Sequence, residues 1–192
     1  MLKSVVCLSA LLVTVLGSAQ TPPHAFSGTL VSVAGDAVTL QDQDGKVRVV
    51  QMTPGWTVSV NRAVAADAIK AGSFVATQNI PLDASTGKST EVRILEPGYR
   101  PEQGTHAVSA TNSNMMTHGR VTHVSASADG VQLEVSYPNG SRRIIVPPGV
   151  AVTLSDPLSH SVLKPGVAVA GVSRADASGI DRASRLQLLP PH

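Results

Sequence analysis

The chain carries one sequence pattern twice. Residues 52–76 and 146–170 share a Pro-Gly pair, a valine three positions after its glycine, and a Lys-x-Gly. Landmarks that recur in the same order at nearly constant spacing indicate that one structural unit has been duplicated. The matched landmarks are Gly28 with Gly119, Val38 with Val131, Gly45 with Gly140, Pro54 with Pro148, Gly72 with Gly166, and Arg93 with Arg185.

The first copy is predicted to span residues 26–95. Its apolar residues are mostly valine, they alternate with polar residues, and Gly, Asp, Asn or Pro bound each run, which is typical of short strands in a small antiparallel barrel. The alanine-rich segment 63–70, which Gly72 ends, predicts a short helical turn over one end of the barrel. The predicted strands are residues 27–33, 37–42, 46–52, 56–60, 73–80 and 91–95.

The second copy, residues 116–189, repeats this order. Residues 96–114 between the copies are rich in Pro, Gly, Ser, Thr and Asn and predict a linker or strap. The sequence therefore predicts an all-β protein with two tandem small antiparallel β-barrels, OB-like or related, each with one short helical turn. The strands predicted in the second copy are residues 117–124, 131–137, 141–146, 150–154, 167–174 and 184–189.

The first nineteen residues have the pattern of a signal peptide. Lys3 precedes an apolar run over residues 5–17, and residues 17–19 are the small residues of a cleavage site. The run is shorter than the roughly 20 residues that a membrane-spanning helix needs, so no membrane span is predicted in the mature chain. We expect a periplasmic or secreted protein. Cleavage would remove Cys7, the chain's one cysteine, and with it disulfide and thiol chemistry.

Charge and aromatic content argue against a nucleic-acid partner. The formal net charge is +2, and the chain has one Trp, two Tyr and two Phe, which is little for stacking on bases. Small barrels bind through loops at one end and through exposed strand faces. The predicted partner is accordingly an unknown envelope protein, a peptide or a glycan.

One group of residues across the linker and the next strand suits a metal ion. Imidazole and thioether are ligands for Cu(I), and imidazole alone suits Cu(II) or zinc. In a regular strand His118 and His123 would face opposite sides, so a strand bulge or a folded-back linker would be needed to bring them together. Exposed histidines without a ligand are the alternative interpretation. The candidate metal ligands are His106, Met115, Met116, His118 and His123.

Residues 155–161 contain the residue types of a hydrolase triad, but no catalytic site is predicted there. Ser155, Asp156 and His160 are close in sequence, whereas a nucleophilic serine also needs a strained elbow such as Gly-x-Ser-x-Gly, which the chain lacks. A Ser or Asp cap before a short helical turn accounts for the segment. The sequence therefore predicts no enzyme and no resident cofactor.

The second copy resembles a known but uncharacterised family. The motifs IIVPPGVAV (144–152) and LKPGVAVAGV (163–172), preceded by THGRVTHV (117–124), are similar to exported bacterial small β-barrel domains that carry a domain-of-unknown-function label. The resemblance implies an OB-like barrel and a bacterial envelope location, and it brings no ligand. We expect a non-enzymatic exported structural or interaction module. The alternative is a periplasmic copper- or zinc-binding protein.

Overall fold

Alternating β-branched residues give the chain an all-β structure. The computed structural model describes residues 22–109 and 111–190 and has twelve strands there. The predicted signal peptide, residues 1–19, lies outside the described residues. Within the described part, no helix has the length and apolar character to cross a membrane.

The strands are β1 (His24–Ala34), β2 (Ala37–Gln41), β3 (Val47–Val64), β4 (Phe74–Pro81), β5 (Thr86–Ile94), β6 (Gly104–Ser109), β7 (Asn112–Ser127), β8 (Gly130–Tyr137), β9 (Gly140–Val146), β10 (Ala151–Leu158), β11 (Ala168–Ala175) and β12 (Asp181–Leu188). Two single 3-10 turns, Ala66–Ala68 and His160–Val162, occupy corresponding positions in the two copies.

The strands close into two five-stranded rings. In ring one, β1 pairs with β2, β2 with β3, β3 with β12, β12 with β11, and β11 with β1. In ring two, β7 pairs with β8, β8 with β9, β9 with β5, β5 with β4, and β4 with β7. The β3–β12 and β5–β9 pairs are parallel, and the other pairs are antiparallel.

Each ring combines strands from both copies, which corrects the expectation that residues 26–95 and 116–189 form two tandem barrels. Ring one takes β1, β2 and β3 from the first copy and β11 and β12 from the second. Ring two takes β7, β8 and β9 from the second copy and β4 and β5 from the first. The two copies have therefore exchanged their last two strands, and both rings belong to one twelve-stranded sheet.

Strand β10 joins the rings at the exchange point. It pairs antiparallel with the second half of β3 and parallel with β5. Val58 lies opposite Leu158 and Val64 opposite Val152, with Asn61 opposite Ser155 between them. Val58 and Val152 are the matched valines of the duplicated pattern, and each lies three residues from the central pair of Asn61 and Ser155. The contact between β3 and β10 is therefore approximately two-fold symmetric about that pair.

Each ring encloses its own hydrophobic core, built from both copies. The first core contains Leu30, Val50 and Trp56 from the first copy together with Leu186 from the second. The second core contains Val75 and Val92 from the first copy and Leu133, Val135 and Ile144 from the second. Ile69 and Leu163, which follow the two 3-10 turns, are buried in ring two and ring one respectively. The predicted helical turns are thus present. The turn of the first copy covers ring two, and the turn of the second copy covers ring one.

The duplicated Gly28 and Gly119 allow close approach of neighbouring strands. A Cβ at Gly28 would lie 2.5 Å from the carbonyl oxygen of Gln41, and one at Gly119 would lie 2.5 Å from that of Ser136. Real Cβ atoms do not approach backbone oxygens this closely, so any larger residue would push the first two strands of a copy apart. The repeat keeps glycine at this point for a steric reason.

One local expectation needs correction. Pro54 and Gly55 do not form a turn between two strands, because β3 continues through them, with Gly55 at φ +77°. The pairing of β3 with β12 shifts register between Met52 and Thr57, which marks a bend in the strand. The segment 96–114, predicted as a linker or an ordered strap, contains all of β6 and the beginning of β7.

Engineered disulfides test the strand exchange. With Cys7 replaced by serine, Ser27→Cys combined with Ala170→Cys should form a disulfide on oxidation, because these residues are directly paired between β1 and β11. Ala76, the first-copy equivalent of Ala170, supplies the control. Rapid disulfide formation by Ser27→Cys with Ala76→Cys instead, measured by mass spectrometry of peptides, would support two separate barrels and contradict the exchange.

Candidate functional site

A ribbon formed by β6 and the first part of β7 lies on ring two, where β7 also pairs with β4, and it carries most of the predicted metal ligands. Strand β6 pairs with the first part of β7, which places His106 opposite Met116 and Thr105 opposite Thr117. The hydroxyl groups of Thr105 and Thr117 are 3.0 Å apart, so these two threonines share one face. Because side chains alternate along a strand, His106, Met116 and His118 share the other face.

The two histidines of this face are in contact. The ring centroids of His106 and His118 are 5.5 Å apart, and the ring planes are inclined by 64°. Nδ1 of His118 lies 2.9 Å from the backbone carbonyl oxygen of Glu102. A carbonyl oxygen only accepts, so Nδ1 is assigned as the protonated nitrogen that donates this bond, which leaves the lone pair of the neutral ring on Nε2.

The other two predicted ligands lie elsewhere. Met115 is on the opposite face of β7, the face of Thr117. His123 pairs with Glu134 beyond a register shift in the β7–β8 ladder and is five residues from His118, which corresponds to roughly 16 Å along a strand. The five residues therefore do not converge on one ion. Among the described residues, no three His, Cys, Asp or Glu side chains form a group that could hold a metal.

A buried polar network lies where β3, β10 and β12 meet the end of β5. Glu96 is 1% exposed, and its Oε2 is 3.0 Å from a guanidinium nitrogen of Arg185. The Ser155 hydroxyl donates to the same carboxylate at 2.6 Å, and Arg185 also donates to Ser59 Oγ at 2.9 and 2.7 Å. Thr57 donates to the second carboxylate oxygen at 3.3 Å. The buried charges are thus paired and hydrogen-bonded, as stability requires.

A small cavity adjoins this network. It has a volume of about 130 Å³, and Arg93, Tyr99, Arg185 and Gln187 are among its lining residues. The Arg185 guanidinium lies over the Tyr99 ring, 4.7 Å from its centroid. Arg93 donates to Glu91 at 3.1 Å, as Arg185 does to Glu96, so both guanidinium groups already have a carboxylate partner. Each of these two positive charges is therefore balanced by a carboxylate, while the buried Nε of Arg93 has no hydrogen-bond partner among the described residues.

The side chains of residues 155–161 have three separate sets of partners. Ser155 is buried against Glu96, and Asp156 forms an ion pair with Arg62 at 3.0 Å. His160 stacks on the Trp56 ring at 3.9 Å, and its Nε2 lies 3.1 Å from the Trp56 carbonyl oxygen. The three residues do not form a triad. The predicted cap is present at Ser159, whose hydroxyl accepts a bond from the Ser161 amide.

Sequence reasoning missed a second group of serine, histidine and aspartate, which comes together from distant parts of ring one. His24 Nε2 is 3.0 Å from Ser173 Oγ and 3.0 Å from Asp181 Oδ1. A catalytic triad uses the two imidazole nitrogens for its two partners, whereas here a single nitrogen faces both. Arg48 also contacts this nitrogen at 2.7 Å and Asp181 at 2.6 Å. The group is therefore an ion-pair cluster without a proton relay.

Arg142 occupies the position in ring two that is equivalent to the position of Arg48 in ring one. Its hydrogen-bond partners are uncharged, whereas Arg48 pairs with Asp181. Arg142 is 5% exposed and donates to the carbonyl oxygens of Ala84 and Thr86 at 3.0 Å and to the side chain of Asn79 at 3.3 Å. Its neighbour Arg143 alternates to the opposite face of the strand. The two adjacent arginines consequently do not form a basic surface patch, and Arg142 holds the β4–β5 hairpin.

Comparison of the chain with protein-family models, curated proteins and solved structures gives no significant match. The geometry of the described residues is therefore the basis for a functional assignment, and the ribbon of β6 and β7 is its most distinctive feature.

The buried ion pair predicts a large stability effect. Glu96→Gln should lower the free energy of unfolding by about 3–5 kcal/mol, because Arg185 would keep its charge with no buried carboxylate beside it. Adding Arg185→Met should recover a substantial part of that loss, and urea denaturation of the four proteins of this cycle measures the coupling. Additive losses would contradict a direct interaction between the two side chains.

Titration of His118 predicts a pH dependence. Burial lowers the pKa of His118 below its ordinary value of 6.5, the charges of His106 and Arg93 act in the same direction, and the carbonyl and carboxylate of Glu102 oppose them. Below pH 6.5 the unfolded chain therefore takes up this proton more readily than the folded chain. The stability of the metal-free protein should fall from pH 6.5 until the folded-state pKa is passed.

The variant His118→Gln should lack this component. The free energy of unfolding of the wild type, relative to that of the variant, should decrease between pH 7.5 and pH 5, as measured by urea denaturation with a chelator present. Parallel pH profiles would contradict the lowered pKa.

Proposed function

We propose that the protein is a non-enzymatic, exported interaction module of the bacterial envelope that binds an extended peptide segment of another envelope protein along β6. The observation that supports this proposal is the unpaired outer edge of β6. Among the described strands, β6 alone pairs with one neighbour, while each of the others has two or three partners. The signal-peptide pattern of residues 1–19 supports the export part of the proposal.

An edge strand favours peptide binding for a simple chemical reason. Alternate residues of such a strand direct their N–H and C=O groups away from the sheet, where an extended peptide can bond to them as an added strand. Proteins commonly protect edges with lysine or proline. The sequence of β6, GTHAVS, contains neither, and Val108 on it is 43% exposed.

The surroundings of β6 favour a peptide over a glycan or a nucleic acid. Its side chains include no carboxylate, and of the five aromatic residues of the chain none is on β6, so stacking on sugars or bases has no platform there. Main-chain hydrogen bonds are the interaction that this edge offers, and they suit a peptide of varied sequence.

Selection from a library of linear peptides, with the mature protein as bait, tests the proposal. Selected peptides should bind the wild type and should protect alternate amides of residues 104–109 from hydrogen exchange. Val108→Lys should weaken binding at least tenfold, because a lysine on the edge opposes strand addition. The matched control is Val172→Lys, since Val172 is also exposed but pairs with Ala25 of β1 and lies on a strand that has β12 as its second neighbour.

Three outcomes would overturn the proposal. If Val108→Lys and Val172→Lys lowered the affinity for the selected peptides equally, the binding site would lie elsewhere. If the library yielded no binding peptide, a peptide would be excluded as the partner. Concentration-dependent dimers in sedimentation experiments, abolished by Val108→Lys, would identify a second copy of this chain as the occupant of the edge.

A further inference from the structure

The outer face of the ribbon brings together two imidazoles and a thioether that have no role in either hydrophobic core. We infer that His106, Met116 and His118 form a binding site for a monovalent copper ion. The site is separate from the unpaired edge of β6, because these side chains stand on the face of the ribbon. It therefore holds whether or not a peptide binds along that edge.

The register places the three side chains within reach of one ion. His106 and Met116 are directly opposite each other, and side chains in that relation have Cβ atoms about 4.5–5.5 Å apart. His118 is two residues beyond Met116 on the same face, and its ring contacts that of His106 with a centroid separation of 5.5 Å. Metal–imidazole bonds are about 2.0–2.1 Å long, so one ion between the rings can bond to a nitrogen of each.

The hydrogen bond of His118 prepares that ring as a ligand. Its Nδ1 donates to the Glu102 carbonyl at 2.9 Å, which fixes the ring orientation and leaves Nε2 as the free nitrogen. Metal-binding histidines characteristically donate their other N–H to a carbonyl or carboxylate in this way. The backbone of the strap before β6 therefore supplies the supporting contact that such a site needs.

The donor set selects the metal. A thioether is a soft ligand that favours Cu(I), whereas structural zinc takes four nitrogen or sulfur-anion ligands in a tetrahedron. The described residues provide no third histidine, cysteine or carboxylate for this site. Two imidazoles and one thioether are a suitable three-coordinate set for Cu(I) and an incomplete one for zinc.

The matched positions of the first copy show that the barrel itself does not require these side chains. The pairing of β1 with β11 corresponds to that of β7 with β4, which makes Ala25 the equivalent of Met116 and Ser27 the equivalent of His118. Neither alanine nor serine is a ligand for Cu(I). The strand pairing is the same in both copies, so Met116 and His118 are a feature of the second copy alone, and His106 comes from the segment between the copies.

Titration of the mature protein with Cu(I), under anaerobic reducing conditions and against a coloured Cu(I) chelator, tests the site. We expect one ion per chain. His106→Ala, Met116→Leu and His118→Ala should each weaken binding at least tenfold, while Met115→Leu and His123→Ala, the matched controls on the opposite face and further along β7, should leave it unchanged. Zn(II) should bind at least a hundredfold more weakly than Cu(I).

A measurement on the wild type guards against variants that fail to fold. Addition of Ag(I), a redox-inert substitute for Cu(I), should shift the methyl NMR signal of Met116 and not that of Met115. Equal shifts of both signals, equal effects of Met115→Leu and Met116→Leu, or undiminished binding by His118→Ala would each overturn the site. None of these results depends on peptide binding, which is assayed with metal-free protein.

Discussion

The ion pair between Glu96 and Arg185 lies where the two copies cross, and we expect the exchanged arrangement to depend on it. Glu96 follows β5, a strand of ring two, whereas Arg185 is on β12, a strand of ring one. Arg185 also donates to Ser59 of β3, and Ser155 of β10 contacts both members of the ion pair, so the strands that join the rings take part in the network. A charge pair with so little exposure is costly unless every partner is present, so the network favours the one assembly that brings all four strands together.

The network also breaks the equivalence of the two copies. The pairings Val75 with Ile94 and Val169 with Leu188 make Glu91, rather than Arg93, the first-copy equivalent of Arg185. The landmark match of Arg93 with Arg185 is therefore wrong by two residues. At this position the first copy has the Glu91 carboxylate on the outer surface, and the second copy has the Arg185 guanidinium, which reaches Glu96. A single ion pair therefore spans the exchange point.

Local pattern was sufficient to predict most strands, but it could not predict which copy supplies them to each ring. Alternation of apolar residues fixes the inward face of a strand, and Val92 and Leu186 are equally suited to either core because the cores derive from the same duplicated unit. The choice depends on long-range contacts such as the buried carboxylate of Glu96. Nothing in the residues around Glu96 distinguishes it from an ordinary charge at the end of a strand.

The candidate site was predictable in its residue types and not in its geometry. His106 and His118 stood out by their chemistry, but β6 lacks an alternating apolar pattern, so the sequence predicted a linker or strap and not the edge strand that the structure has. The register of β6 with β7 decides which side chains the proposed copper site includes, since it places His106 opposite Met116 and Met115 on the other face. The same lack of apolar pattern leaves the face and edge of β6 exposed to solvent and available for binding.

The strap between β5 and β6 connects the buried network to the ribbon. It begins at Leu95, whose amide bonds to the Phe74 carbonyl at 2.8 Å, and Arg100 lies over the Phe74 ring at 4.6 Å. It then places the Glu102 carbonyl against His118. The anchor at Glu96 and the contact at Glu102 are parts of one short segment, so the residues that hold the two rings together also set the orientation of the imidazole on the exposed face. The strand exchange thereby fixes the position of His118, a side chain that the barrel fold itself does not require.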